Sequence, residues 1–480
     1  MPCCVSGENG VKKNIFSSYL TGIKDRSHGE GFAKILRYFF PEFVTAVILY
    51  SLPMLIDARW IAHLQSTSAY ATLGITNTIL HSIIKIAEGL SVATIVMTGQ
   101  LNGMGELKRV GKALVHAFWT TIIVGGLVSA VLYFGAYRLY MWYRLPEAMI
   151  VLGAPFLKVR AIGIFFTFVY FGLIGFMRGI KDTRTPMMIF IVGCALFLFF
   201  DYALIFGAFG FPQWGLLGSA VASVIQSVSM CLFALYYVVQ NKTLKQYEIK
   251  LFSVFTSTRS MWELCKLSVP VVIDKAALSW SYVWLGYCLA PMGTCVLASF
   301  AVVKDLERFA LLPAIAFAQV ITFLVSNDYG RHDWEGIKTN SKKIIFMASI
   351  SVLGILYVCS LWPSDIIKLF DFKGEFTVFA AKMFPVVSIL AFFDVLQLIL
   401  AGALRGAANV QVVMWTRLLV CAGFFAPLAY MFSRIDTPHI LIKCVLVYSC
   451  LYIGNAVMGL VYIKRFRAEA WKTKSIEVEA

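Results

Sequence analysis

Asp57, Asp201 and Asp394 each sit inside a long apolar run of a 480-residue chain. A carboxylate there can load a cation and change its own charge when the cation leaves. An ionisable group at the middle of a membrane helix costs roughly 2.5–3.5 kcal/mol on insertion scales, so its presence is a functional hypothesis by default. Other charges share these surroundings. Lys85 and Glu88 are three apart, as are Lys304 with Glu307 and Asp305 with Arg308, a spacing at which helical side chains pair. Together with Arg59, Asp274, Lys275 and Arg417 they come close to balance, which favours mutually neutralised networks in a bundle interior. The sharper alternative is that Lys85, Glu88, Lys304, Asp305, Glu307 and Arg308 are cavity charges whose bases admit an anionic or zwitterionic substrate.

The elements that carry these residues are legible from composition. The chain is 59% hydrophobic and only 14% charged, with a mean hydropathy of +0.77, whereas soluble domains carry roughly 25% charge. Its apolar runs reach the ~20 residues a helix needs to cross a bilayer, and they must be helical because lipid satisfies no open backbone. The runs fall near 38–62, 70–100, 113–135, 153–177, 186–209, 215–239, 267–289, 295–326, 343–363, 377–403, 411–432 and 441–463. The chain thus reads as an all-α integral membrane protein of twelve transmembrane helices. The net charge of +16 is concentrated in clusters separated by even numbers of crossings, from Lys12–Arg37 to Lys464–Lys474. That is the positive-inside pattern, with both termini cytoplasmic, and not a nucleic-acid footprint. The opening MPCCVSGENGVKKNIFSSYL is polar and short of an apolar core, so it reads as a cytoplasmic tail and not a signal peptide. The eleven cysteines show no metal-ligand spacing. No Gly-rich phosphate loop, HExxH pair or GxSxG elbow is present, so an enzyme is not expected.

The chain also repeats itself. In GFMRGIKDTRTPM (175–187) and GALRGAANVQVVM (402–414), Gly175, Arg178, Gly179 and Met187 recur as Gly402, Arg405, Gly406 and Met414. At the same offset GLSVATIVMTGQLNG (89–103) aligns with AFAQVITFLVSNDYG (316–330), pairing Gln100 with Asn327 and Gly103 with Gly330. Two echoes in one register predict two copies of one unit. Six crossings lie between them, an even number, so the copies are parallel repeats related by a pseudo-two-fold along the membrane normal, with the substrate site between them. The expected division is a tail (1–37), a first six-helix lobe (38–239), a cytoplasmic linker (240–266), a second lobe (267–463) and a tail (464–480). Arg178–Gly179 and Arg405–Gly406 read as a structural motif, each arginine bonding the last carbonyls of its helix. Pro53, inside the first span, removes a backbone hydrogen bond and predicts a hinge there.

RGIKDTRTPM followed by FFDYALIFGAFGFPQWGLLGSAVAS resembles the multidrug and toxic compound extrusion (MATE) family. YSLPMLIDARWIAHL resembles that family's first helix, and FFDVLQLILAGALRGAAN its tenth, with Asp394 eleven residues before Arg405. The resemblance runs over roughly 38–463. It implies two six-helix bundles around a V-shaped cavity, and antiport of organic, expectedly cationic compounds against Na⁺ or H⁺. It implies further that Asp57 and Asp201 share a cation site, with Ser223 standing for a family threonine. Two carboxylates in one dry pocket cannot both ionise cheaply, so one takes a proton near neutral pH. The family's usual asparagine one turn before the second acid is Phe197 here, which weakens Na⁺ at Asp57 and Asp201 and makes H⁺ the preferred coupling ion. Asp394 with Gln397 repeats the logic in the second lobe. A glutamate found in some branches falls on Leu278, and Asp274, one turn earlier, is the substitute candidate. No cofactor is expected, and no metal beyond Na⁺. The protein is expected to act as a monomer in an inner membrane, its partners being a small organic substrate and the lipid bilayer. A flippase of lipid-linked saccharide or another anionic amphiphile is the alternative.

Overall fold

Backbone that crosses lipid must bond to itself, and every regular element among the described residues is helical. The structure is a computed structural model that describes residues 28–472 apart from 51, 64–65, 252–257, 369, 372–373 and 436–438. The expected tails over 1–27 and 473–480 and the middle of the linker lie outside the described residues. The first lobe comprises α1 (Phe32–Tyr50), α2 (Leu52–His63), α3 (Thr67–Met104), α4 (Leu107–Trp142), α5 (Glu147–Gly179), α6 (Arg184–Phe206) and α7 (Leu216–Gln240). The second comprises α8 (Thr258–Leu289), α9 (Thr294–Ala310), α10 (Leu312–Gly330), α11 (Trp334–Leu361), the short α12 (Pro363–Lys368), α13 (Thr377–Gly406), α14 (Val410–Val420), α15 (Ala426–Arg434) and α16 (Ile440–Arg467). These elements make twelve crossings in two lobes because two elements share some of the crossings. α1 and α2 share the first, with Pro53 at the second position of α2. α9 and α10 share the eighth, bent by 45° where Pro313 opens α10. α14 and α15 are joined through a π-helical turn, Cys421–Phe425. α8 begins at Thr258, so the last part of the expected linker is already helix.

Each lobe has its own apolar core. One draws on α3–α7 and Leu264; the other draws on α8–α16, with Ile35 and Ile95 joining it. The repeated motif explains how each core closes. Gly175 and Gly179, spaced as small-xxx-small, let α5 approach α3, and a Cβ on Gly175 would stand 2.7 Å from the Ser91 carbonyl oxygen. Gly402 and Gly406 do the same for α13 on α10, where a Cβ on Gly402 would stand 2.8 Å from the Ala318 carbonyl oxygen. Ser91 and Ala318 are themselves equivalent positions in the two copies.

The second echo lies between the lobes. α3 packs on α10, and the buried Asn327 donates through Nδ2 to the Gly179 carbonyl at 2.8 Å. Its equivalent, the buried Gln100, donates through Nε2 to the Gly406 carbonyl at 3.3 Å. A Cβ at Gly103 would collide with the Asn327 carbonyl, and one at Gly330 with the Gln100 carbonyl. Asn102 adds a bond to Asn327 Oδ1 at 2.7 Å. Each lobe thus offers the same glycine and the same amide position to the other. Beside this seam Glu30 straps both lobes. Its carboxylate meets Lys181 of the first lobe at 3.3 Å, its N–H donates to Asn340 of the second at 2.7 Å, and its carbonyl accepts from Lys343 at 3.1 Å. Partial burial pushes the Glu30 carboxyl up, but Lys34 and Lys181 outweigh it and hold it below the usual glutamate range.

Candidate functional site

In the first lobe, Asp57 comes from α2 and faces α7. Ser219 donates its hydroxyl to Asp57 Oδ1 at 2.8 Å. Asp201, on α6, is fully buried, and neither of its carboxylate oxygens has a hydrogen-bond partner among the described residues. The residue one turn before it, Phe197, is a buried ring that offers no oxygen. α7 carries Ser219, Ser223 and Ser227 on one face, at the i, i+4, i+8 spacing of a helix. The Ser223 hydroxyl donates to the Ser219 carbonyl at 3.0 Å. It also accepts a hydrogen bond from Arg160 Nη1. Arg160 reaches the site from α5, its guanidinium lying 6.0 Å over the Phe156 ring. Ser223 therefore meets Arg160, and Ser219 is the hydroxyl on Asp57.

The second lobe holds Asp394 on α13, where Asn455 of α16 donates to Oδ1 at 2.9 Å. Buried Glu307, on α9, accepts from the hydroxyls of Tyr448 and Tyr452 at 2.5 Å each. Those tyrosines are one turn apart on α16. Glu307 Oε1, Gln397 Nε2 and Asn455 Oδ1 lack partners among the described residues, so this cluster has unused donors and acceptors. The expected pairs on α9 are replaced. Lys304 contacts its neighbour Asp305 at 3.8 Å, Arg308 is exposed, and Glu307 is held by phenols because its side of α9 faces α16 and not solvent.

The remaining acids inside the spans are clamped by cations. Glu42 takes two hydrogen bonds from Arg178, at 2.8 and 2.7 Å, with both side chains buried. Asp274 lies between Arg405, at 2.5 Å, and Arg417. It is therefore held in a different contact from Asp394, and the two motif arginines hold acids on the first helix of their own lobes. Glu88 binds Lys85 at 2.9 Å and also Lys275, which belongs to the other lobe. Sequence reasoning passes over Arg160, Glu42 and Ser219. A plain census of charged residues within the predicted spans would find the first two, since Arg160 falls in 153–177 and Glu42 in 38–62. Ser219 carries no signal that distinguishes it from its neighbours until α7 is placed against α2.

The MatE family model matches residues 43–203 and 270–431, one stretch in each lobe, starting at equivalent positions of the repeat. The multidrug resistance protein NorM of Photobacterium profundum is 23% identical over 374 residues, which cover 77% of this chain and 81% of that protein. The uncharacterized transporter YisQ of Bacillus subtilis is 22% identical over 412 residues, 86% of this chain and 89% of its own. Among solved structures, a multidrug resistance MATE family transporter of the MOP superfamily in an outward-facing conformation superposes with a TM-score of 0.83 at 18% identity, covering 92% of this chain and 96% of that one. The Vibrio cholerae MATE transporter VcmN in its bent form gives 0.83 at 18%, covering 95% and 100%. At such identities the likeness shows the twelve-helix, two-lobe fold.

Proposed function

Since the chain belongs to the MATE family, and is thus a multi-pass membrane transporter and not an enzyme, we propose that it exports organic compounds by antiport with protons. Access to a site between the lobes alternates as the first and second bundles tilt. One observation carries the coupling role: of the acids in the spans, Asp57, Asp201, Asp394 and Glu307 have no direct cationic partner among the described residues, whereas Glu42, Glu88 and Asp274 do. A clamped carboxylate stays ionised and fixed. An unclamped one is available to pick up a proton on one side and release it on the other. The inter-lobe seam closes the end of the molecule that bears the arginine–glycine motifs, which the distribution of basic residues assigns to the cytoplasm. Both termini then lie in the cytoplasm, the membrane is a cell's inner membrane, and the working unit is the monomer.

Proteoliposomes test this reading directly. A dye-like organic cation is followed under an imposed pH gradient and, separately, an imposed sodium gradient. Drive by the pH gradient is expected; drive by sodium alone overturns the choice of ion. The opposite cargo charge has one observation in its favour. His81 lies in the fields of Lys85, Arg160 and Arg308, bases that come from both lobes. Competition of dye export by an anionic amphiphile would favour the flippase-like alternative.

A further inference from the structure

Arg160 is the feature the coupling scheme leaves unused. It brings a permanent charge to the two acids of the first lobe, yet forms no direct ion pair with either among the described residues. Its geometry explains the separation. Ser219 and Ser223 are successive turns of α7; the first bonds Asp57 and the second holds the guanidinium. Phe156, one turn back on α5, lies beneath the guanidinium. The contrast with Arg178 is sharp. That arginine grips Glu42 with two parallel bonds and fixes it, whereas Arg160 is tethered one serine away, leaving both oxygens of the buried Asp201 unpaired.

We propose that Arg160 is the resident cation of the Asp57–Asp201 site, and that by occupying the charge-balancing role there it makes the site refuse sodium while leaving it open to protons. This rests on the reading of Asp57 and Asp201 as the coupling acids. A sodium ion needs several oxygen ligands and a net negative surround. With both acids ionised, the guanidinium already cancels one of the two charges. The ring of Phe197 supplies no ligand where a side-chain oxygen would complete a shell, and the Ser223 hydroxyl is turned to the arginine. A proton needs only one carboxylate oxygen, which Asp201 has to spare. His81 is a titratable neighbour that also feels Arg160, together with Lys85 and Arg308.

The test reads sodium binding itself. Detergent-purified full-length protein is titrated with radioactive ²²Na⁺ against choline at constant ionic strength, with the thermal midpoint recorded in parallel. Wild type is expected to show no saturable binding, and Arg160→Gln to bind sodium at least about tenfold more tightly, since a unit charge a few ångströms away is worth that factor or more. The gained binding should vanish in Arg160→Gln/Asp201→Asn. Arg160→Lys, which keeps a cation, should remain blind to sodium and covers the case in which the glutamine variant does not fold. Saturable, Asp201-dependent binding in wild type, binding by the lysine variant, or a folded glutamine variant that ignores sodium would each overturn the proposal. Gradient-driven export by Asp57→Asn and Asp201→Asn is measured separately. If it persists, the coupling role of these acids fails while the sodium result still stands on its own.

Discussion

At the scale of single residues, what separates the acids is their nearest cation. Asp57→Asn and Asp201→Asn each keep their shape and lose the exchangeable charge. Each is expected to cut pH-driven export at least tenfold with cargo binding retained, as measured by uptake into liposomes and by dye binding in detergent. Asp274→Ala should act on stability instead. It strands Arg405 and Arg417 in a buried site, and breaking a buried pair from one side costs about 3–5 kcal/mol. Its thermal midpoint should fall well below that of Asp394→Asn, which preserves the bond partner of Asn455. The candidate acids are legible in the sequence because a charge within an apolar run stands out by itself. Their partners are not. Arg178 meets Glu42 and Glu307 meets Tyr448 across more than a hundred residues, and helical periodicity carries no information about which distant helix turns its face inward. The spacing of Lys304 and Glu307 suggests a pair within one helix, and the two phenols that α16 brings to Glu307 override it.

At the scale of elements, the apolar runs read from the sequence agree with the helix ends to within a few residues in most cases, although among the described residues length and apolarity by themselves mark nine spans, or ten with α9 and α10 as one. Breaks are harder to read. Pro53 announces one, but residue 51, where α1 gives way to α2, lies outside the described residues. Pro313 marks another that apolar length conceals, because α9 and α10 together look like one long span. Pro270 and Pro385, by contrast, lie inside continuous helices. A proline permits a bend by removing one donor, and neighbouring helices decide whether the bend is taken. Asp57 lies one turn beyond Pro53. Pro53→Ala restores the missing N–H and should stiffen the first crossing, slowing export severalfold while Asp57 remains in place. An unchanged rate of transport in liposomes would remove the hinge from the mechanism.

At the scale of the whole molecule, the two lobes grip each other through residues that occur once in each copy. Gly330→Leu would drive a side chain into the Gln100 carbonyl and pry α10 from α3 at the closed end. In an otherwise cysteine-free protein, a cysteine placed at the buried Ser91 should then react with a membrane-impermeant thiol reagent applied to the side that bears the arginine–glycine motifs. It should stay silent when Gly330 is intact. Both echoes that reveal the duplication in the sequence meet at this seam, although nothing in their spacing says that Gln100 of one copy answers Gly406 of the other. Because the two amide–carbonyl links stand on either side of a dyad, giving way at one leaves its twin still engaged and the lobes pinned. Opening at this end is therefore complete only when both links have gone, so the seam is fastened twice over.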